Sequence, residues 1–151
     1  MSIPIITIRW KKLVLKNTDS FFIYLIPTIS LTDKTRDYQS ICEQIKKLDN
    51  KIRFAGVINE RGKLIEGGMR DGIQALSSAK DDEMLFMELV LRVKMRQEFD
   101  TQLGPVKFAM ALRDKVLEMS FLIDNYVLFV VSESDVDYGV VPRKILEIIN
   151  K

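Results

Sequence analysis

Apolar residues in positions 37–50 recur with helical spacing. Tyr38, Ile41, Cys42, Ile45 and Leu48 fall at i, i+3, i+4, i+7 and i+10, one face of a helix that Thr35 or Asp37 caps and Asp49-Asn50 ends. The period then changes. In Phe54 to Gly72, FAGVINERGKLIEGGMRDG, the run Val57-Ile58 is followed by Asn59-Glu60-Arg61-Gly62 and then by Leu64-Ile65. That pattern predicts a β-hairpin over about residues 52–69, with Gly62 supplying the positive φ of its turn. Ser77-Ser78 ahead of Asp81-Asp82-Glu83 marks a second helix start, since acids favour the first turn, and Gly104-Pro105 stops the helix after Leu103. Between those signals Met84 to Leu103 carries apolar residues on more than one stripe, so the helix is expected to be buried on two sides. One side belongs on a sheet, and the other needs a partner, most simply a second copy of the chain.

Period-two alternation returns in Val106 to Arg113. Asp114-Lys115 then turns the chain into Val116 to Ile123, and Asp124-Asn125 into Tyr126 to Val131, an unbroken apolar run that suits a central strand. After the polar stretch Ser132 to Asp137, Val141, Ile145, Leu146, Ile148 and Ile149 line a last helix with Pro142 in its first turn. There is no internal repeat or linker. From residue 37 the order is α-β-β-α-β-β-β-α.

Residues 1–36 do not match this pattern and are read as an atypical N-terminal extension, with residues 37–151 as the domain. Phe21 to Leu31, FFIYLIPTISL, is too short for a membrane span, which takes roughly 20 residues, and Pro27 interrupts it. As a secretory signal it lacks a small-residue cleavage site. Three readings are open: an extra strand or strand pair, an interfacial anchor, or a loosely ordered or start-site-derived extension ahead of a natural beginning near Leu31.

Composition narrows the chemistry. The chain of 151 residues has no histidine and one cysteine, which removes His-based triads, imidazole metal sites, a disulfide and a Cys-cluster zinc site. Cys42, inside an apolar stripe, reads as a small core residue in a reducing, cytoplasmic setting. The net charge of +2 is uneven. Residues 1–36 hold six cations and two acids, a local +4 that leaves −2 on the rest, so the basic pI is no argument for nucleic acid. No nucleophile with a base, metal constellation or cofactor fingerprint is present, and the chain reads as neither an enzyme nor a cofactor protein.

The order of elements, with a five-stranded antiparallel sheet between helices, resembles the roadblock and profilin-like group of α+β folds over about residues 37–151. The segments RFAGV, GKLIEGGMRDG, the helix ending LRVKMR, and YVLFVVS look closer still to a small uncharacterised archaeal family of the ammonia-oxidising lineage. That second resemblance implies fold and lineage but no mechanism. Roadblock-like proteins are usually non-enzymatic dimers that pair through the long middle helix and the following edge strand, and they serve as scaffolds or regulators for small GTPases or motor systems. Carried to this chain, the resemblance implies a dimer surface from Met84, Phe86, Met87, Val90 and the strand that begins at Val106.

The most pointed local motif is Gly67-Gly68-Met69-Arg70-Asp71-Gly72. Exposed backbone N–H groups beside Arg70 could hold an anion, which makes Gly67, Gly68, Arg70 and Asp71 candidate ligand-binding residues. The plainer reading, a strand end with a glycine bulge, is favoured because no phosphate-loop pattern follows. Arg92 and Arg96 share a helix face, where a solvated cationic helix end is favoured over an acidic partner. Asp81, Asp82 and Glu83 are explained by helix capping, and Glu133, Asp135 and Asp137 miss the calcium-loop pattern. The functional expectation is a homodimeric regulatory or scaffold module. The alternative is a small-ligand or anion sensor with its site near Arg70.

Overall fold

The computed structural model describes residues 6–17, 20–31 and 36–151, with side chains from Arg36 onward. Thr35, a candidate cap, and the basic side chains Arg9 to Lys34 lie outside the described residues. The chain divides into two units, Met1–Arg36 and Asp37–Lys151. In the first, β1 (Ile6–Asn17) and β2 (Ser20–Leu31) form a two-stranded antiparallel sheet in continuous register from Ile6↔Leu31 to Asn17↔Ser20.

The second unit follows the expected order. Helix α1 (Tyr38–Leu48) leads into β3 (Ile52–Ile58) and β4 (Leu64–Met69), and then into α2 (Ala79–Gln97) and the short α3 (Asp100–Leu103). After these come β5 (Phe108–Leu112), β6 (Val116–Ile123), β7 (Tyr126–Glu133) and α4 (Val141–Ile149). The five strands pair antiparallel in the order β4-β3-β7-β6-β5, so the apolar run in β7 does form the central strand. This is the roadblock-like α+β architecture.

Local chemistry fixes the ends of the elements. Asp37 caps α1 by accepting from the Ser40 N–H at 2.9 Å. Asn59 organises the hairpin turn, its Oδ1 accepting from the Arg61 and Lys63 N–H groups at 2.9 and 3.1 Å. Gly62 adopts φ 71°, and a side chain there would come within 3.1 Å of the Met87 backbone, so the turn sits directly on α2. At the start of α2, Ser78 and Asp81 close a capping box. The helix does not continue to Leu103 as expected. The Phe99 N–H turns back to the Arg96 carbonyl at 3.1 Å, which tightens the last turn and separates α3, before Gly104 ends the segment at φ 80°.

Side chains alternate across the sheet and build two cores. On one face Cys42 and Ile45 of α1 and Val141, Ile145 and Ile149 of α4 pack with Ala55, Val57, Leu117, Met119, Leu128 and Val130. On the other, Phe86 and Val90 of α2 pack with Phe54, Ile58, Val127 and Phe129. Phe54, Phe86 and Phe129 form a triangle with ring centroids 5.9–6.0 Å apart.

Candidate functional site

Helix α2 is apolar on two opposite sides. Phe86 and Val90 are 9% and 3% exposed against the sheet. Met84, Met87, Leu91 and Met95, spaced three, four and four residues apart, lie on a common opposite stripe and are 65%, 44%, 54% and 68% exposed. Phe99 and Leu103 of the following segment are exposed as well. Phe86 and Val90 therefore do not belong to an outward surface: their spacing puts them on the sheet side. Val106 is exposed but lies two residues before β5 rather than in it. The outward set is Met84 and Met87, joined by Leu91 and Met95, which the doubly apolar pattern had already contained.

Strand β5 is an edge of the sheet, paired among the described residues with β6 alone, and lies next to the Leu89–Arg92 side of α2. Its register, Ala109↔Ser120 and Ala111↔Glu118, puts only small residues of β5 on the α2 face. A shallow recess of about 80 Å³ lies there between Leu89, Arg92, Ala109, Ala111 and Ser120. Arg92 is held by Glu88 at 2.5 Å, and Lys63 reaches Glu83 at 3.1 Å, so these charges frame the stripe as ion pairs.

The Arg70 motif has a different use. Its Nε donates to the Ile52 carbonyl at 2.7 Å, and one terminal nitrogen donates to the carbonyls of Asp49, at 2.7 Å, and of Lys46. The guanidinium thus brings a charged donor to the carbonyls at the end of α1, where the Asp49 carbonyl also accepts from the Ile52 N–H at 3.1 Å. Gly67, at φ 86°, gives its N–H to Gln39 at 3.3 Å, and a side chain there would meet the Ala55 carbonyl at 2.3 Å and the Cys42 sulfur at 2.8 Å. Glycine is needed for close approach of β4, β3 and α1. Gly68 follows in the strand, and Asp71 stands exposed in the turn after it. Gly67 and Arg70 form a structural bracket between β4, β3 and α1.

The acidic groups also have separate duties. Asp81 is held below the usual carboxylate range by its hydrogen bonds to Ser78. Glu133 pairs with Arg53. Asp135 pairs with Lys51 at 2.9 Å, which lowers its pKa and raises that of the lysine. Asp137 accepts from the N–H groups of Gly139 and Val140 at 3.0 and 3.2 Å, ahead of α4. Among the described residues no group of three or more His, Cys, Asp or Glu could hold a metal ion, and no helix is long and apolar enough to cross a membrane.

Sequence reasoning missed one feature. A cleft of about 600 Å³ opens between the first turns of α2 and the β5–β6 turn, with Phe54, Phe86, Phe129 and Val131 in its floor. The only signal available was the alternation of Phe129 and Val131 in β7, which is also what any core face shows.

The fold is roadblock-like. The chain belongs to DUF6659, a family of unknown function, whose model matches residues 27–151. No curated protein sequence matches it. Among solved structures it is similar to a Roadblock/LC7 domain from Streptomyces avermitilis, with 9% identity, TM-score 0.57, and coverage of 74% of this chain and 91% of that one. Myxococcus xanthus MglB is similar at 14% identity and TM-score 0.59, over 78% and 93% of the two chains. An MglB with tetrameric arrangement is similar at 11% identity and TM-score 0.55, over 74% and 86%. At these identities the likeness shows the fold.

Proposed function

We propose that this chain is a non-catalytic regulatory or scaffold module that works as a homodimer and presents its paired surface to a protein partner, such as a small GTPase, in the cytoplasm. The carrying observation is the outer stripe Met84, Met87, Leu91 and Met95, four large apolar side chains exposed on a helix whose opposite side already fills a core. The edge position of β5, unpaired beyond β6 among the described residues, and the small residues beside α2 suit the approach of a second helix and strand. The tetrameric arrangement of the similar MglB supports self-association through this fold. The archaeal, ammonia-oxidising lineage implied by the RFAGV, GKLIEGGMRDG and YVLFVVS segments is part of this reading, and equally close relatives spread across other lineages would remove it. Anion binding at Arg70 is not carried forward, because backbone carbonyls engage its guanidinium.

Light scattering tests the dimer. Met87→Asp places a charge in the stripe and is expected to halve the mass while circular dichroism stays native. Met95→Asp, farther from the Gly62 turn, should do the same. An unchanged dimer mass in both variants, or a monomeric wild type, would overturn the reading.

A further inference from the structure

The register of the β1–β2 strand pair sorts its residue types unevenly between two faces. The strands pair without a break from Ile6↔Leu31 to Asn17↔Ser20, so alternate residues of each strand share a face. On one face β2 places Phe21, Ile23, Leu25, Pro27, Ile29 and Leu31, with no polar residue among them. Opposite these, β1 places Ile6, Ile8, Trp10 and Val14, with Lys12 and Lys16 nearer the Asn17↔Ser20 end. The other face is mixed. Thr7, Arg9, Thr28 and Ser30 occupy its Ile6↔Leu31 end, and Leu13 and Phe22 lie toward the opposite end.

Three properties narrow what the apolar face can meet. A two-stranded sheet on its own is marginal in water, so such a face needs cover. No third strand pairs with β1 or β2 among the described residues, and a sheet with open edges does not enter the hydrocarbon core of a bilayer. A bilayer therefore takes this element lying in its interface, not across it. The third property is charge: β1 carries Arg9, Lys11, Lys12 and Lys16, and neither strand contains an acid. Lysine and arginine suit a boundary between water and an apolar phase, as do tryptophan and tyrosine, here Trp10 and Tyr24. A second copy laid on the same face brings the same cations and no acid. Nucleic acid would match the charge, but a mainly aliphatic face offers few rings on which bases stack.

We propose that β1–β2 is an interfacial anchor whose apolar face lies on a bilayer surface rich in anionic lipid, with the β1 cations at the headgroups. The strand pair and the anchor expected from the sequence are then one element, which attaches the domain that follows it to a membrane surface.

Trp10 is the only tryptophan of the chain, so its emission reports on the strand pair alone. Full-length protein is titrated with phosphatidylglycerol vesicles and, in parallel, with phosphatidylcholine vesicles. The first are expected to give a saturable blue shift and co-flotation that added salt weakens, and the second to bind at least about tenfold less tightly. Ile29→Asn and Thr28→Asn alter adjacent residues on opposite faces. Ile29→Asn should weaken binding by about tenfold, the loss expected of one large apolar residue, and Thr28→Asn by less than about twofold. Lys11→Glu combined with Lys12→Glu keeps every apolar residue and should weaken binding to phosphatidylglycerol by more than about tenfold, a test that stands even if Ile29→Asn loses the strand pairing. The proposal is overturned if neither vesicle shifts Trp10, if the two lipids bind equally, or if the two asparagine variants behave alike. A shift produced by a single-stranded oligonucleotide and not by vesicles, or by protein concentration alone, overturns it as well.

Discussion

On one face of the sheet, α1 and α4 lie side by side and bury Cys42, Ile45, Val141, Ile145 and Ile149 against strand residues that are themselves almost wholly buried. On the other face Phe54, Ile58, Val127 and Phe129 lie beneath α2, with a cleft at one end and small residues along its β5 side. Within residues 37–151, two helices pack on the first face and one long helix on the second, beside the cleft. The first face accounts for folding. The second carries the outer stripe of α2 and the cleft.

A matched pair of truncations sharpens that contrast most. Phe121→Ala removes a ring that is 1% exposed on the two-helix side and is expected to cost about 3–5 kcal/mol in urea unfolding. Leu91→Ala, on the outer stripe and 54% exposed, should change the unfolding of the monomeric Met95→Asp protein by no more than about 0.5 kcal/mol. In the wild-type background it should weaken association instead. If Leu91→Ala destabilised the monomer as much as Phe121→Ala, the division between a folding face and a working face would fail.

The bracket at Arg70 ties the two-helix face together and comes next in size. Arg70→Ala leaves the carbonyls of Ile52 and Asp49 without their charged donor, a loss of about 1–3 kcal/mol by denaturant unfolding. Arg70→Lys should recover only part of it, since an ammonium cannot reproduce the guanidinium's spread of donors. Amide exchange should quicken at the end of α1 and leave α2 unchanged. Faster exchange confined to α2 would place the role of Arg70 elsewhere.

These cases show why the sequence revealed the fold more readily than the site. Periodicity made α1, the β3–β4 hairpin, β6, β7 and α4 legible, because each buries residues at the spacing its geometry demands. It also signalled that α2 has two apolar sides, but not which residues belong to which side. Phe86 and Met87 are adjacent in the chain and equally hydrophobic, and only the sheet beneath distinguishes them. The glycine-rich motif was open to two readings for a related reason. A Gly-Gly-x-Arg run looks the same whether its guanidinium faces a ligand or the carbonyls at a helix end 21–24 residues earlier in the chain. The cleft was invisible because Phe54, Phe86 and Phe129 are far apart in sequence and each looks like an ordinary core residue.

The smallest effect is silent at neutral pH and belongs to the two-helix face. Burial pushes the Cys42 thiol from 9.0 up to about 11, with Lys46 pulling slightly the other way. The unfolded chain releases this proton near pH 9, whereas the folded protein holds it to about 11. The unfolded state is therefore favoured progressively as pH rises between those values, and the contribution to stability is complete below pH 9 and lost above it. Urea unfolding of the wild type and Cys42→Ala across that range should show a constant difference up to pH 9, then a wild-type curve that falls more steeply than the variant's. Parallel curves would mean that water reaches the thiol, and that α1 and β4 do not close over Cys42 as tightly as the approach of Gly67 requires.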